Sequence, residues 1–473
     1  MPDDAAGWVS RRGLAFAVVL SLLSLWPMAA TGTLLIFPDT ASYFEGGAAA
    51  WDMARDLLGI GDAAGTTVGT GNGQFARSFV YSTYVYAVAQ LGGPVAVAFG
   101  HTLLTMLMLM AVLPPPDRLR SGVLGAGLAT VLALSSLPWY ASYLMPDILA
   151  AAVVLYGAVL AMRFDTLRRG QRLLLGTLAA IAIATHYGYP PLAVALYGGV
   201  LIWRGLTRRL TLAVVFAAIL PVVSPLFVNL EASGTTLDEP SVAPLRLPIL
   251  LARSIEDGPA RWYLNETCPT LADSQNYALC DAFPNGMPNN ISSFLWDEDG
   301  IKKLTPQQLE RVRDEEAEIL IRAFQAYPLA QTWSLIGNAA LQTVRVGVDD
   351  LSPAASITGG PEELSPMARS RARTVLNAAD AVLPWTALLG LAVLAGLAYY
   401  RRLDRHLTLV TLVVLAGLLV NAAIFGGLSA PVDRYQSRIA WLLPMLAAVA
   451  LATRSRPHRV KAASEVRTTR SGQ

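Results

Sequence analysis

Long apolar runs without a charge recur from one end of the chain to the other. The first covers 14–36, and others follow at 94–113, 123–137, 144–162, 173–185, 191–203, 210–228, 379–399, 407–425 and 439–452. At about 1.5 Å per helical residue, roughly 20 such residues cross a hydrocarbon core of about 30 Å. A chain of 473 residues that is 54% hydrophobic and only 15% charged has too many of these runs to hide in one water-soluble core. The expectation is an all-α polytopic membrane protein with about ten transmembrane helices. A net charge of +2 spread over local clusters offers no continuous basic surface, which points away from nucleic acid.

Cations mark the sides of the membrane. Arg11-Arg12, Arg118 and Arg120, Arg163 to Arg172, Arg204 to Arg209, Arg401 to Arg405 and the tail beyond Arg454 separate the apolar runs. Placing them inside, by the bias of Lys and Arg toward cytoplasmic loops, puts both termini in the cytoplasm. The predicted order is a cytoplasmic start at 1–12, then a membrane module at 13–228 with about seven crossings and a first outer loop at 38–77. A large, mainly helical outer loop at 229–378 follows, then about three crossings at 379–453 and a basic cytoplasmic tail at 454–473. The first run lacks a small-residue cleavage site and reads as a retained helix. Segment 78–91 would invert everything after it if it crossed, so it reads as a helix lying at the outer interface or dipping into the membrane, which its aromatic residues suit.

The large loop holds both cysteines, Cys268 and Cys280. In an oxidising compartment such a pair reads as a disulfide. Thr305-Pro306-Gln307-Gln308 has the pattern of a capped helix start, and apolar positions at helical spacing continue to Tyr327-Pro328. A second helix over 329–346 is expected to pack beside it. The acidic stretches 297–300 and 349–350 lack the alternation of a calcium loop and read as solvated turns. Gly69-Thr70-Gly71-Asn72-Gly73 has neither the strand nor the helix of a dinucleotide fingerprint and reads as a loop.

What remains is a polar constellation on the expected outer face: Asp39, Arg77, Asp147, His186, Arg434 and Tyr435. An acid at the mouth of a crossing suits a general base toward a hydroxyl or amine, and guanidinium forks suit a phosphate. Each also has a plainer reading. Asp39 and Asp147 could cap helices, Arg77 and Arg434 could anchor at the interface, and His186 could close a helix end.

The order of these features resembles the bacterial integral membrane glycosyltransferases of the C-type fold, the group of the protein mannosyltransferases and aminoarabinose transferases. The likeness rests on Asp39-Thr40-Ala41-Ser42-Tyr43 after the first crossing, on Arg77-Ser78-Phe79-Val80-Tyr81-Ser82, and on Asp433-Arg434-Tyr435 ahead of Trp441-Leu442-Leu443-Pro444. Both prolines of the family's Arg-x-Pro-x-Tyr-Pro segment are absent, and the large loop has no counterpart. The resemblance implies transfer of a sugar from a polyprenyl-phosphate donor to a periplasmic glycan, lipid or protein, with Asp39 as general base. Tyr43, Arg77, Tyr81, His186, Arg434 and Tyr435 would then bind substrate, with no metal or other cofactor, in a bacterial inner membrane with the large loop in the periplasm. A transporter or scaffold of envelope glycan assembly would share the topology without needing an ionised Asp39, and a polysaccharide polymerase would share about ten crossings and one large outer loop but lean on arginines in large outer loops.

Overall fold

The structure, a computed structural model, describes residues 11–57, 77–114, 118–207, 210–237, 247–270, 276–359 and 361–453. The expected tail at 454–473, most of the expected start at 1–12 and the glycine stretch at 69–73 lie outside them. The described chain is nearly all helix, as a polytopic membrane protein requires when every backbone group in lipid must be satisfied within its own segment. Its single sheet among the described residues pairs two short strands, β1 (Leu34–Ile36) and β2 (Ser352–Ala354), antiparallel, with Leu35 opposite Pro353.

Among the described residues, six helices are long and apolar enough to cross a membrane, fewer than the expected number. They are Gly13–Thr31, Phe79–Val112, Pro146–Thr166, Pro366–Tyr399, Arg405–Gly427 and Asp433–Ala452. Ser121–Leu134 is apolar but shorter, and the apolar segment Leu212–Val228 opens a helix that continues to Leu237. The runs at 173–185 and 191–203 fold into Arg169–Ala184 and Tyr189–Thr207. Charged residues occupy the first turn of the one, and Tyr189, Pro190, Pro191 and Arg204 dilute the other, so neither offers enough continuous apolar length.

Phe79–Val112 is not one continuous helix but a hairpin of two, of which only the second arm, 94–112, has the apolar length to cross. Gly92 and Gly93 leave helical geometry, Gly93 with φ 70°, and Pro94 follows. Tyr84 Oη donates to the Val97 carbonyl (2.6 Å) and Tyr81 Oη meets His101 Nδ1 (3.4 Å). Contacts that step back along one strand of the hairpin as they advance along the other require the chain to reverse at the glycine pair. Residues 79–91 therefore run back beside 94–112.

Two cores organise the rest. The larger joins the apolar helices from Ala17 to Ala448. A separate one, built around Leu251, Ile255, Phe294, Val312 and Ile319, belongs to the large loop. There Cys268 and Cys280 form a disulfide. The expected helix start is present: Thr305 Oγ1 accepts from Gln308 N (3.3 Å), and Gln308 Oε1 accepts from Thr305 N (2.9 Å). The second helix, Pro328–Val344, behaves otherwise than expected. It leaves its neighbour and packs on the end of Arg405–Gly427, where Gly426 has room only for hydrogen against Gln342 and Asn338 and Gly427 lies close to Leu335.

Candidate functional site

β1 carries the chain directly into the helix Pro38–Leu57, and β2 is its partner from the far end of the large loop. The pairing of Leu34–Ile36 with Ser352–Ala354 thus brings residues 345–351 over the start of that helix. Thr40 secures the turn, accepting from Phe37 N (3.0 Å) and donating to the Leu144 carbonyl (3.2 Å). Asp39, in the first helical turn, directs its carboxylate to Arg77 Nη2 at 2.5 Å. The two side chains keep 19% and 24% of their surface exposed, so the pair is open on one side. Tyr187 Oη donates to the Arg77 carbonyl (3.1 Å), and Ser78 Oγ caps the following helix by accepting from Tyr81 N.

His186 lies next to this pair. Its Nδ1 accepts from Gly188 N (3.0 Å), which leaves the proton on Nε2, and its ring packs on Tyr189 and Phe425. Gly188 cannot carry a side chain, because a Cβ would meet the Phe425 ring. Burial, followed by the charges of Arg438, Arg434 and Arg77, pushes the His186 pKa well below the ordinary imidazole value. The ring is neutral near pH 7.

Arg434 begins the helix Asp433–Ala440. Its backbone N donates to Asp350 Oδ2 (2.9 Å), its guanidinium lies 3.9 Å from the centre of the Phe37 ring, and Nη2 donates to Tyr435 Oη (3.3 Å). Among the described residues that guanidinium meets no carboxylate within ion-pair distance, and its Nε is buried without a partner. One turn on, Arg438 is fully buried. It pairs with Asp147 (Nη1 to Oδ1, 3.3 Å), donates to Asn421 Oδ1 (2.9 Å) and stacks on Phe425 at 4.0 Å.

The structure therefore gathers Asp39, Arg77, His186, Arg434 and Tyr435. Tyr43 and Tyr81 are packed beneath them, edge to face at 4.9 Å, and both are buried. Asp147 is present as the partner of Arg438. Cys268 and Cys280 belong to the other core. Sequence reasoning missed Arg438 and Asp350. The signal for Arg438 was its four-residue step from Arg434 on one helix; Asp350 had none, since only the β1–β2 pairing brings it near.

A second polar group lies at the edge of the site. Asp349, Asp380 and Asp433 bring one carboxylate oxygen each within 4.8 Å of the others, an all-oxygen set of the kind hard cations take. Arg345 Nε donates to Asp433 (2.9 Å) and Val348 N to Asp380 (2.9 Å), so two of the three already have donors. Gly347 fits between Asp380 and Asp433 only because it has no side chain. Read from its residues, then, the main site offers a carboxylate held by one arginine, a neutral imidazole and a second guanidinium with spare donors, which is a setting for an anion beside a base. Compared with known protein families, curated proteins and solved structures, the chain matches none.

Proposed function

We propose that the protein is a membrane glycosyltransferase that moves a sugar from a polyprenyl-phosphate donor to a glycan, lipid or protein acceptor. The observation that carries this reading is that one cluster holds both the Arg77-held Asp39 carboxylate, two residues past Phe37, and the Arg434 guanidinium, which lies on the Phe37 ring and, among the described residues, has no carboxylate within ion-pair distance. Asp39 takes the proton of the acceptor hydroxyl or amine as that atom bonds to the anomeric carbon. The bond from this carbon to the phosphate oxygen breaks, and its electron pair leaves with the polyprenyl phosphate. Arg434 receives the phosphate charge through its planar fork, Arg77 orients Asp39, and the neutral His186 adds no competing charge. An apolar groove of about 400 Å³, lined by Leu25, Met28, Leu34, Val95 and Ala354, opens beside β1 and suits the isoprenoid tail. The setting is a bacterial inner membrane, with both termini in the cytoplasm and residues 229–378 in the periplasm.

The test compares wild type with Asp39→Asn in membranes of the native host, following envelope glycans and polyprenyl-linked sugars by mass spectrometry. The expected result is a glycan lacking one sugar and an accumulated lipid-linked donor at normal protein level. Unchanged glycans in Asp39→Asn, with altered glycans on deletion of the whole protein, would replace this reading by a transporter or scaffold of envelope assembly.

A further inference from the structure

The helix Pro328–Val344 is built inside out. Its 17 residues include no charge. Its amide side chains turn inward: Gln331 accepts from Ser254, Asn338 donates to both oxygens of Asp257 at 3.1 Å, and Gln342 exchanges two hydrogen bonds of 2.9 Å with the backbone of Val432. Its large apolar side chains turn outward. Leu329, Trp333 and Val344 are 85%, 76% and 70% exposed, and Ile336 is exposed between them. At 100° per residue these four positions fall on one stripe, opposite Leu335, Ala339 and Gln342.

An uncharged face of this kind facing water would be an association hazard. Its place in the fold identifies what covers it. The inner face lies on Gly426 and Gly427, at the end of the membrane-crossing helix Arg405–Gly427. Leu412, Leu419 and Leu428 are exposed along and just beyond that helix, so a lipid-facing surface runs from the crossing up to the stripe. We infer that Pro328–Val344 lies in the plane of the bilayer surface, with Leu329, Trp333, Ile336 and Val344 seated among the lipid headgroups and first acyl carbons. Trp at this depth is the residue that the interface favours. The helix also fixes the backbone at Val432, immediately ahead of Asp433 and Arg434, so a lipid-seated element carries one wall of the site.

Both cysteines of the chain are in the disulfide, which leaves single-cysteine labelling unambiguous. The full protein is reconstituted in nanodiscs of phosphatidylethanolamine and phosphatidylglycerol, with a fluorophore at Trp333→Cys or Ile336→Cys and at the control Glu318→Cys on the charged helix Pro306–Ala326. Lipids brominated near the headgroup should quench positions 333 and 336 severalfold more than position 318, while aqueous iodide shows the reverse order. Iodide quenching at 333 and 336 equal to that at 318 would put the stripe in water. Protection from both quenchers would mean that protein, a second copy or another chain, covers it. Either result overturns the inference, and the signal at 318 with a monodisperse elution profile confirms that each variant is folded.

Discussion

Two of the arginine–aspartate pairs in the cluster, Arg438–Asp147 and Arg77–Asp39, differ in everything except chemistry. Arg438 and Asp147 are enclosed: Asn421 takes another guanidinium N–H, Phe425 covers a face, and neither side chain keeps more than 3% of its surface. Arg77 and Asp39 are closer, 2.5 Å against 3.3 Å, yet remain open on one side. An enclosed pair ties two segments together, here the helix Asp433–Ala440 to the turn at Pro146–Ile148, but admits no ligand. The open pair contributes little to folding and can be reached by a substrate. Burial and spare valence, more than distance, separate the enclosed pair from the open one that is proposed to react.

Removing one member of the enclosed pair should break this contrast most severely. Arg438→Ala strands the Asp147 carboxylate in an apolar setting, at a cost of about 3–5 kcal/mol. In detergent, that variant should lose its thermal transition or elute as aggregate. Arg438→Met combined with Asp147→Leu should recover most of the loss, because removing both charges leaves no buried ion unpaired, only Asn421 Oδ1 without its donor. Arg77→Ala should cost about 1 kcal/mol or less, as expected of a partly exposed pair. A comparable loss in Arg77→Ala and Arg438→Ala would erase the distinction.

Asp39→Asn should do the opposite, leaving the thermal transition where it is while lowering transfer by about 10²–10⁴-fold, the range for removal of a general base. Single-turnover consumption of the lipid-linked donor in isolated membranes measures it. A parallel loss of stability would return Asp39 to the structural class.

His186 sharpens the comparison through pH. Its pKa is depressed in the fold, so its contribution to stability is present above the unfolded value of about 6.5 and is lost as pH falls, because the unfolded chain takes up a proton that the folded ring refuses. His186→Asn can keep an acceptor for Gly188 N and does not titrate. Thermal midpoints measured from pH 8 to pH 5 should fall more steeply in wild type than in His186→Asn, and equal slopes would show that neither burial nor the arginines hold down the pKa of this ring.

Much of the open site was legible because its residues stand beside the ends of apolar runs, where a charge marks a cap, an interfacial anchor or a polar site. Asp39 follows Phe37-Pro38, and Arg434 precedes the run at 439–452. The enclosed pair was not. Arg438 merges with that run, and Asp147 looks like any acid opening a helix; only packing brings the two within reach, across 291 residues. Local chemistry was also readable in the capped start at Thr305, whose donors and acceptors lie within one turn. The partner of Pro328–Val344 was not, because an apolar stripe states that something must cover it and leaves open whether that is a neighbouring helix or lipid. The crossing count failed for a related reason: apolar composition marks a helix as buried or lipid-facing, and Arg169–Ala184 and Tyr189–Thr207 pack against other helices with too little apolar length to span alone.

The smallest effect is expected at Asp349, which presents a third case, an acid among acids. Burial and the charges of Asp380, Asp433 and Asp350 raise its pKa, and Arg345 only partly opposes them. A carboxyl whose folded pKa is raised leaves stability intact below the unfolded value near 4 and withdraws it as pH rises through the folded value. Asp349→Asn removes that penalty. Because Asp349 is solvent-exposed, the gain is discounted to a rise of about 1 °C in the thermal midpoint at pH 7, vanishing toward pH 4. Added Mg²⁺ or Ca²⁺ should reproduce the gain in wild type if a cation can neutralise the group, and should then leave Asp349→Asn unmoved. A midpoint lowered by the substitution at pH 7 would mean that the Asp349 carboxylate is engaged favourably, which would move it from the repelled acids to the paired ones.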